Sequence, residues 1–289
     1  LQGNLKSATL DFIPVIDLTD YSNLTWVEVE ERLRDTKLVV FPTGSVEQHG
    51  HHLGVGADWL QADEIARRVG ERCGALVLPT LCYGVSRHHK EFPGVLTMTF
   101  DTYRRVIGEI LDSLARYGVE KVVFINGHGG NTGAIVEAAK EARDRHGMLC
   151  AVTHWWDVLR SESIFGHAAE EHAGYAETAL TLASRPEAVR MDKAVVKETR
   201  QVDTEIQLIR AGLARFRDGV VVIPLRTIDV TDVGSMTEAH PDDVQTTSDY
   251  SMITAEYAET LMGRVVDWLC AFIDRFEGFQ VPPVERAYP

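Results

Sequence analysis

The run Glu47-Gln48-His49-Gly50-His51-His52, followed by Asp58, sets carboxylates and imidazoles just after the apolar stretch Leu38–Phe41. In an extended chain, side chains two apart point the same way, so Glu47 and His49 can face one cation or an adjacent pair, with Gln48 turned away. Gly50, Gly54 and Gly56 let the backbone fold sharply before Asp58 begins a helix. An Asp there is by default a helix N-cap, but beside Glu47 and His49 its carboxylate could instead bridge two cations. A second turn, Asn126-Gly127-His128-Gly129-Gly130-Asn131, follows the apolar run Lys121–Ile125. It lies at the carboxyl end of a predicted strand, where open α/β sheets place ligands. The turn lacks the Lys and the spacing of a P-loop, and Asn126 and Asn131 read as groups that hold it.

A third segment, His172-Ala173-Gly174-Tyr175-Ala176-Glu177-Thr178, completes the set. Five helical residues turn through about 500°, so His172 and Glu177 cannot share one helix face. The workable arrangement puts His172 on the preceding loop and Glu177 in the first turn. Glu177 then either answers the helix dipole or completes a metal site while His172 reaches substrate. Hydrolytic metal chemistry is the reading these donors favour.

Positioning them requires a regular frame. Leu38–Phe41, Ala75–Pro79, Val122–Ile125 and Met148–Thr153 read as strands; helices are expected over Asp58–Cys73, Thr102–Tyr117 and Thr132–His146. This alternation predicts an α/β fold with a mostly parallel sheet covered on both faces. Further on, Ala173–Ala183, Thr204–Phe216 and Ile253–Phe276 are expected to be helical and Val220–Pro224 a strand. The polar stretch Arg226–Ser251 reads as a long surface loop, a lid or a subunit contact. No repeat or linker divides residues 1–289, so one domain is expected.

Hydrophobic residues make up 45% of the 289, ample for a sizeable core. The net charge of −14 argues against nucleic acid or anionic membrane as the main partner. No apolar run approaches the roughly 18 residues a membrane span needs. Cys73, Cys82, Cys150 and Cys270 form no CxxC pair, so buried reduced thiols in a cytoplasmic protein are expected.

Together the ExHGxHL…D, NGHGGN and HAGxxET segments, in this order and spacing, resemble the creatininase (creatinine amidohydrolase) family. The resemblance implies a three-layer α/β/α sandwich, a homohexamer, and a site for two divalent ions, Zn, Mn or Fe. It implies Glu47, His49, Asp58, His128 and Glu177 as ligands, with Asp58 bridging, and His172 as proton donor. His88, His89, Gly129, Gly130 and one of Trp155 and Trp156 would then face substrate, and His51 and His52 would support the ligands. The chain departs from creatininase proper at Gly130, where that enzyme has Glu, and at Ala168, where it has Trp. The Gly130 form, with Glu177 as the carboxylate, resembles relatives that deformylate a pyrimidine ribotide or cleave a modified peptide, so creatinine is disfavoured as substrate. Expected chemistry is attack of a metal-bridging hydroxide on the carbonyl of a small amide, with His172 and Glu177 as catalytic groups. A dinuclear phosphoesterase and a non-catalytic metal-bound oligomer are the competing readings.

Overall fold

Strand β1 (Leu38–Thr43) is buried along its whole length because its side chains alternate between two apolar layers. Val39 and Phe41 enter one layer and Leu38 and Val40 the other. The computed structural model describes residues 17–161, 172–195, 199–210, 212–235, 250 and 253–282. Strand β3 (Lys121–Asn126) lies parallel to β1, in register from Leu38↔Lys121 to Thr43↔Asn126. Strands β2 (Leu76–Val77) and β4 (Leu149–Thr153) add on either side, giving the parallel order β2-β1-β3-β4.

Three helices cover the first layer: α1 (Trp26–Asp35), α3 (Phe100–Arg116) and α4 (Thr132–His146). In α3 the periodic residues Tyr103, Ile107, Leu111 and Leu114 are the buried ones. They meet Ile135, Ala138 and Ala142 of α4 over Val39, Phe41, Val122 and Phe124. On the opposite face lie α2 (Ala57–Cys73), α5 (Trp155–Ser161), α6 (Tyr175–Ser184) and α8 (Ala255–Glu277). Ile65, Ala66 and Val69 of α2 pack with Leu261, Val265 and Leu269 of α8 over Val40, Val123 and Ile125. The result is the three-layer α/β/α sandwich the sequence led us to expect. Among the described residues no helix is long and apolar enough to cross a membrane.

Two expectations for the second half are corrected. Thr204–Phe216 is not helical. It forms β5 (Ile206–Arg210) and β6 (Gly212–Phe216), which join β7 (Gly219–Ile223) in a separate antiparallel sheet. Gly212 has φ +98 and Arg217 φ +53, conformations that stop a helix and turn a hairpin. Arg226–Ser251 is not simply a surface loop in its described part. Thr227–Val230 forms a short helix, α7, and Thr227, Val230, Thr231 and Ser235 are buried. Residues 236–249, which include His240, and 251 of that stretch lie outside the described residues, as do His167 and Ala168.

The four cysteines are free, but none is buried: Cys73 is exposed and Cys82, Cys150 and Cys270 are half-buried.

Candidate metal centre

β1 and β3 end side by side, so the loops that follow them leave the same edge of the sheet. Gly127 donates to the Thr43 carbonyl at 2.8 Å, and a Cβ at Gly127 would sit 2.2 Å from the Asp58 carbonyl. Only glycine lets α2 begin this close to the strand end. Asp58 is not the N-cap of α2, which is Gly56; it occupies the first turn with its carboxylate buried. Asn126 and Asn131 hold the second loop as expected. Asn126 Nδ2 donates to the His128 carbonyl at 2.7 Å, and Asn131 Nδ2 donates to the Gly44 carbonyl at 2.9 Å. His172 precedes α6, and Glu177 stands in its first turn.

These loops bring the donors together. Four combinations place one ligand atom per residue within 4.8 Å of one another: Glu47, His49 and Asp58; Glu47, His88 and His128; His49, His172 and Glu177; and Glu47, His89 and His172. Glu47, His49, Asp58 and His128 are almost wholly buried.

Hydrogen-bond partners settle which nitrogen each imidazole presents. A main-chain carbonyl only accepts, so the ring nitrogen facing it carries the hydrogen. His49 Nδ1 lies 3.2 Å from the Glu47 carbonyl, and His128 Nε2 lies 3.1 Å from the Val85 carbonyl. In the neutral rings, His49 Nε2 and His128 Nδ1 are therefore bare. They face the two oxygens of one carboxylate: His49 Nε2 is 2.9 Å from Asp58 Oδ1, and His128 Nδ1 is 3.0 Å from Asp58 Oδ2. Although close, Asp58 Oδ2 has no hydrogen bond, and neither has the buried Glu47 Oε2. Orphaned carboxylate oxygens in a dry site are costly unless a cation takes them. The donor set fits hard or borderline divalent ions: carboxylates and imidazoles, with no thiolate. Glu47 Oε1 stands 3.3 Å from His128 Nδ1, and Glu177 Oε2 stands 3.7 Å from His49 Nε2.

Protons fill the place of cations in the metal-free protein. Burial opposes charge on His49, but the Asp58 and Glu177 carboxylates outweigh it and lift the ring to about 10. Burial, reinforced by Asp58, pushes Glu177 up to about 8 against the pull of His49. His128 is likewise held well above its ordinary value by Glu47 and Asp58, despite burial. Glu47 stays well below the usual carboxylate range because His128 and His89 overcome its burial. At neutral pH the empty cluster thus retains protons that a cation must displace. Titrating metal-free protein with Zn²⁺ or Mn²⁺ at pH 7 should release at least about one proton per chain, and affinity should fall as pH drops. Calorimetry in buffers of different ionisation enthalpy checks this; an observed heat independent of buffer would refute it.

The remaining expected site residues fall less uniformly. His89 is buried with Nε2 3.3 Å from Glu47 Oε1, so it faces a carboxylate rather than open space. The His88 ring is tilted against His89, ring centroids 4.0 Å apart, and stacks near-parallel to the His128 ring at 5.9 Å. Gly129 is exposed, whereas a Cβ on Gly130 would meet Val85 O at 2.2 Å and His128 Nε2 at 2.5 Å. Trp155 is 1% exposed and packs in the core with Leu159. Trp156 stacks on His154 at 4.6 Å. His52 Nε2 pairs with Thr178 Oγ1 at 2.9 Å, supporting α6, while His51 is exposed. Gln48 is not turned away: its amide nitrogen lies 2.9 Å from both His89 and His172. Sequence reasoning missed it because alternation assumes an extended strand, whereas Gly50 (φ +62) reverses the chain immediately afterwards.

Residues 22–273 match the creatininase (creatinine amidohydrolase) family. The chain belongs to that family. It is 34% identical over 192 residues to the creatinine amidohydrolase of Pseudomonas putida, covering 60% of this chain and 74% of that protein. A mycofactocin precursor peptide peptidase of Mycolicibacterium smegmatis is 31% identical over 185 residues, 61% of this chain and 69% of its own. Among solved structures, a Zn–Zn form of a creatininase mutant superposes with TM-score 0.71 at 26% identity, covering 90% of this chain and 98% of the other. A Mn form of creatininase is similar as well, with TM-score 0.69 and 27% identity over 90% and 99% of the chains. The relatives thus include a creatinine amidohydrolase and a precursor peptide peptidase, and this chain carries residues able to bind metal.

Proposed function

We propose that this creatininase-family member binds two divalent ions, Zn, Mn or Fe, and hydrolyses a C–N bond in a small amide, cyclic amide or formamide. The observation that carries the reading is Asp58, whose two oxygens face His49 Nε2 and His128 Nδ1, the nitrogens those two rings can turn to a cation. Glu47 and His128 would hold one ion, His49 and Glu177 the other, and Asp58 both. When bound, the ions lower the pKa of a shared water towards about 7 and polarise the carbonyl. The protein's own part is to keep water out, orient these donors and move one proton. His172 is held well below its ordinary value by burial and by His89 and His49, so it is neutral and able to accept a proton. It would pass that proton to the departing nitrogen, without which an amide anion leaves too poorly.

Gly130 bears on the substrate. At the position where creatininase proper has Glu, the His128 ring and the Val85 carbonyl leave no room for a side chain. With Trp155 in the core, this supports a substrate other than creatinine. A homo-oligomer, by family likeness, completes the proposal.

Metal analysis combined with a panel of creatinine, aryl formamides, cyclic amides, short peptides and an aryl phosphate tests it. Expected are about two ions per chain and metal-dependent turnover of an amide but not of creatinine. Bound metal with turnover of the phosphate alone, or of nothing, would overturn the reading.

A further inference from the structure

We infer that Gln48 and Thr227 are positioning residues of this site: they fix His89 in the tautomer whose Nε2–H holds the Glu47 carboxylate. The inference rests on the reading of Glu47 as a metal ligand. It starts from the Gln48 amide, whose orientation is determined. Gly50 N–H donates to Gln48 Oε1 at 3.0 Å, so Nε2 is the end that points inward. Three groups lie around that nitrogen: the Gly234 carbonyl at 3.1 Å, His89 Nδ1 at 2.9 Å and His172 Nε2 at 2.9 Å. His172 Nε2, however, lies 2.8 Å from the main-chain carbonyl of Gln48 and donates its hydrogen there. It has no lone pair to offer the amide. The two amide hydrogens therefore go to the Gly234 carbonyl and to His89 Nδ1.

Thr227 approaches the same ring nitrogen. Its hydroxyl, on α7 and wholly buried, lies 2.8 Å from His89 Nδ1. Because a Gln48 amide hydrogen is aimed at it, His89 Nδ1 is the accepting nitrogen and the Thr227 hydroxyl donates as well; in its neutral form the ring then carries its hydrogen on Nε2. That N–H points at Glu47 Oε1, 3.3 Å away. His89 thus differs from His49, His128 and His172, whose hydrogens are tied to main-chain carbonyls. In their neutral forms those three present a lone pair to the site, whereas His89 presents a hydrogen. It orients a ligand instead of being one. Glu47 Oε1 has His89 Nε2 3.3 Å away, while Oε2 stays free of any hydrogen bond. Such outer contacts typically govern metal affinity by 10- to 100-fold.

The test has two parts. In metal-free wild-type protein labelled with ¹⁵N-histidine, the His89 resonances, assigned with His89→Gln, should report hydrogen on Nε2. Hydrogen on Nδ1 would overturn the inference whatever the metal does. Metal affinity is then compared across Thr227→Val, Thr227→Ser and Gln48→Glu, using Mn²⁺ or Zn²⁺ alone. Gln48→Glu keeps the acceptor for Gly50 but removes the donor to His89, so metal Kd should rise at least about tenfold. Thr227→Val should raise it by about the same factor, and Thr227→Ser should stay within about twofold of wild type. Unchanged affinity in Thr227→Val and Gln48→Glu, or equal losses in the Val and Ser variants, would leave only packing and sink the proposal. Wild-type protein that binds no metal would remove Glu47 as a ligand, a failure separate from the tautomer result.

Discussion

Asp58→Ala should strip the protein of both ions and lower kcat/KM by at least about 1000-fold, about 4 kcal/mol of transition-state stabilisation. The size follows from geometry. Asp58 Oδ1 faces His49 Nε2 at 2.9 Å and Oδ2 faces His128 Nδ1 at 3.0 Å, so one side chain serves both halves of the cluster. No neighbour can replace it, because the Asp58 carboxylate is buried and the start of α2 is fixed against Gly127. In the proposed two-ion centre, loss of any other single ligand would remove a donor from one ion, and loss of Asp58 would remove one from each. Elemental analysis and kcat/KM on a responsive amide measure the outcome, and near-native circular dichroism shows that the fold has survived. Asp58→Asn should keep the shape of the side chain but lose its negative charge, and with it much of the metal. An Asp58→Ala protein with native metal content and full turnover would refute the assignment of this residue and the dinuclear centre with it.

How much of this was legible in the sequence depends on the kind of signal. The strands Leu38–Thr43 and Lys121–Asn126 were legible because residues buried on both faces leave near-continuous apolar runs. The placement of His172 before α6 and of Glu177 within it followed from helical geometry alone, and the structure agrees. β5 and β6 were misread because Ile206, Leu208, Leu213 and Ala214 can satisfy a helical spacing about as well as an alternating one. The hairpin is decided by φ at Gly212 and Arg217, which composition does not display. Thr227 was illegible for a different reason. Its contact with His89 spans 138 positions and lies in a polar stretch that looks solvated. Gln48 was hidden by a rule that is true of strands but was applied to a turn. Trp155 was offered to substrate on family likeness, yet a large apolar ring beside α8 is worth more buried.

His172→Ala should reduce kcat by about 100- to 10,000-fold while leaving metal content unchanged. The pairing of those two readouts is what distinguishes the possible roles of this ring. His172 belongs to a ligand-like grouping with His49 and Glu177, and its ring lies 4.7 Å from that of His49. A ligand would take metal with it when removed; a proton carrier would not. The structure favours the carrier. His172 Nε2 donates to the Gln48 carbonyl, leaving Nδ1 bare, and burial beside His89 and His49 holds the ring neutral. A neutral ring can receive the proton that an attacking water must lose and return it to nitrogen. Its position is enforced by backbone strain. Ala173 adopts φ +55, a conformation costing about 1 kcal/mol or more for a residue with a Cβ. Two contacts hold it there: Ala173 N–H donates to Glu177 Oε2 at 2.5 Å, and Tyr250 donates to the Ala173 carbonyl at 3.1 Å. Strain retained between a neutral imidazole and a buried carboxylate suits a group that must stay close to the cations without binding them. The missing proton carrier can be supplied from solution, so added imidazole should partly restore turnover to His172→Ala. If that variant instead loses one equivalent of metal and imidazole brings back metal and activity together, His172 is a ligand and the proton must travel by another group.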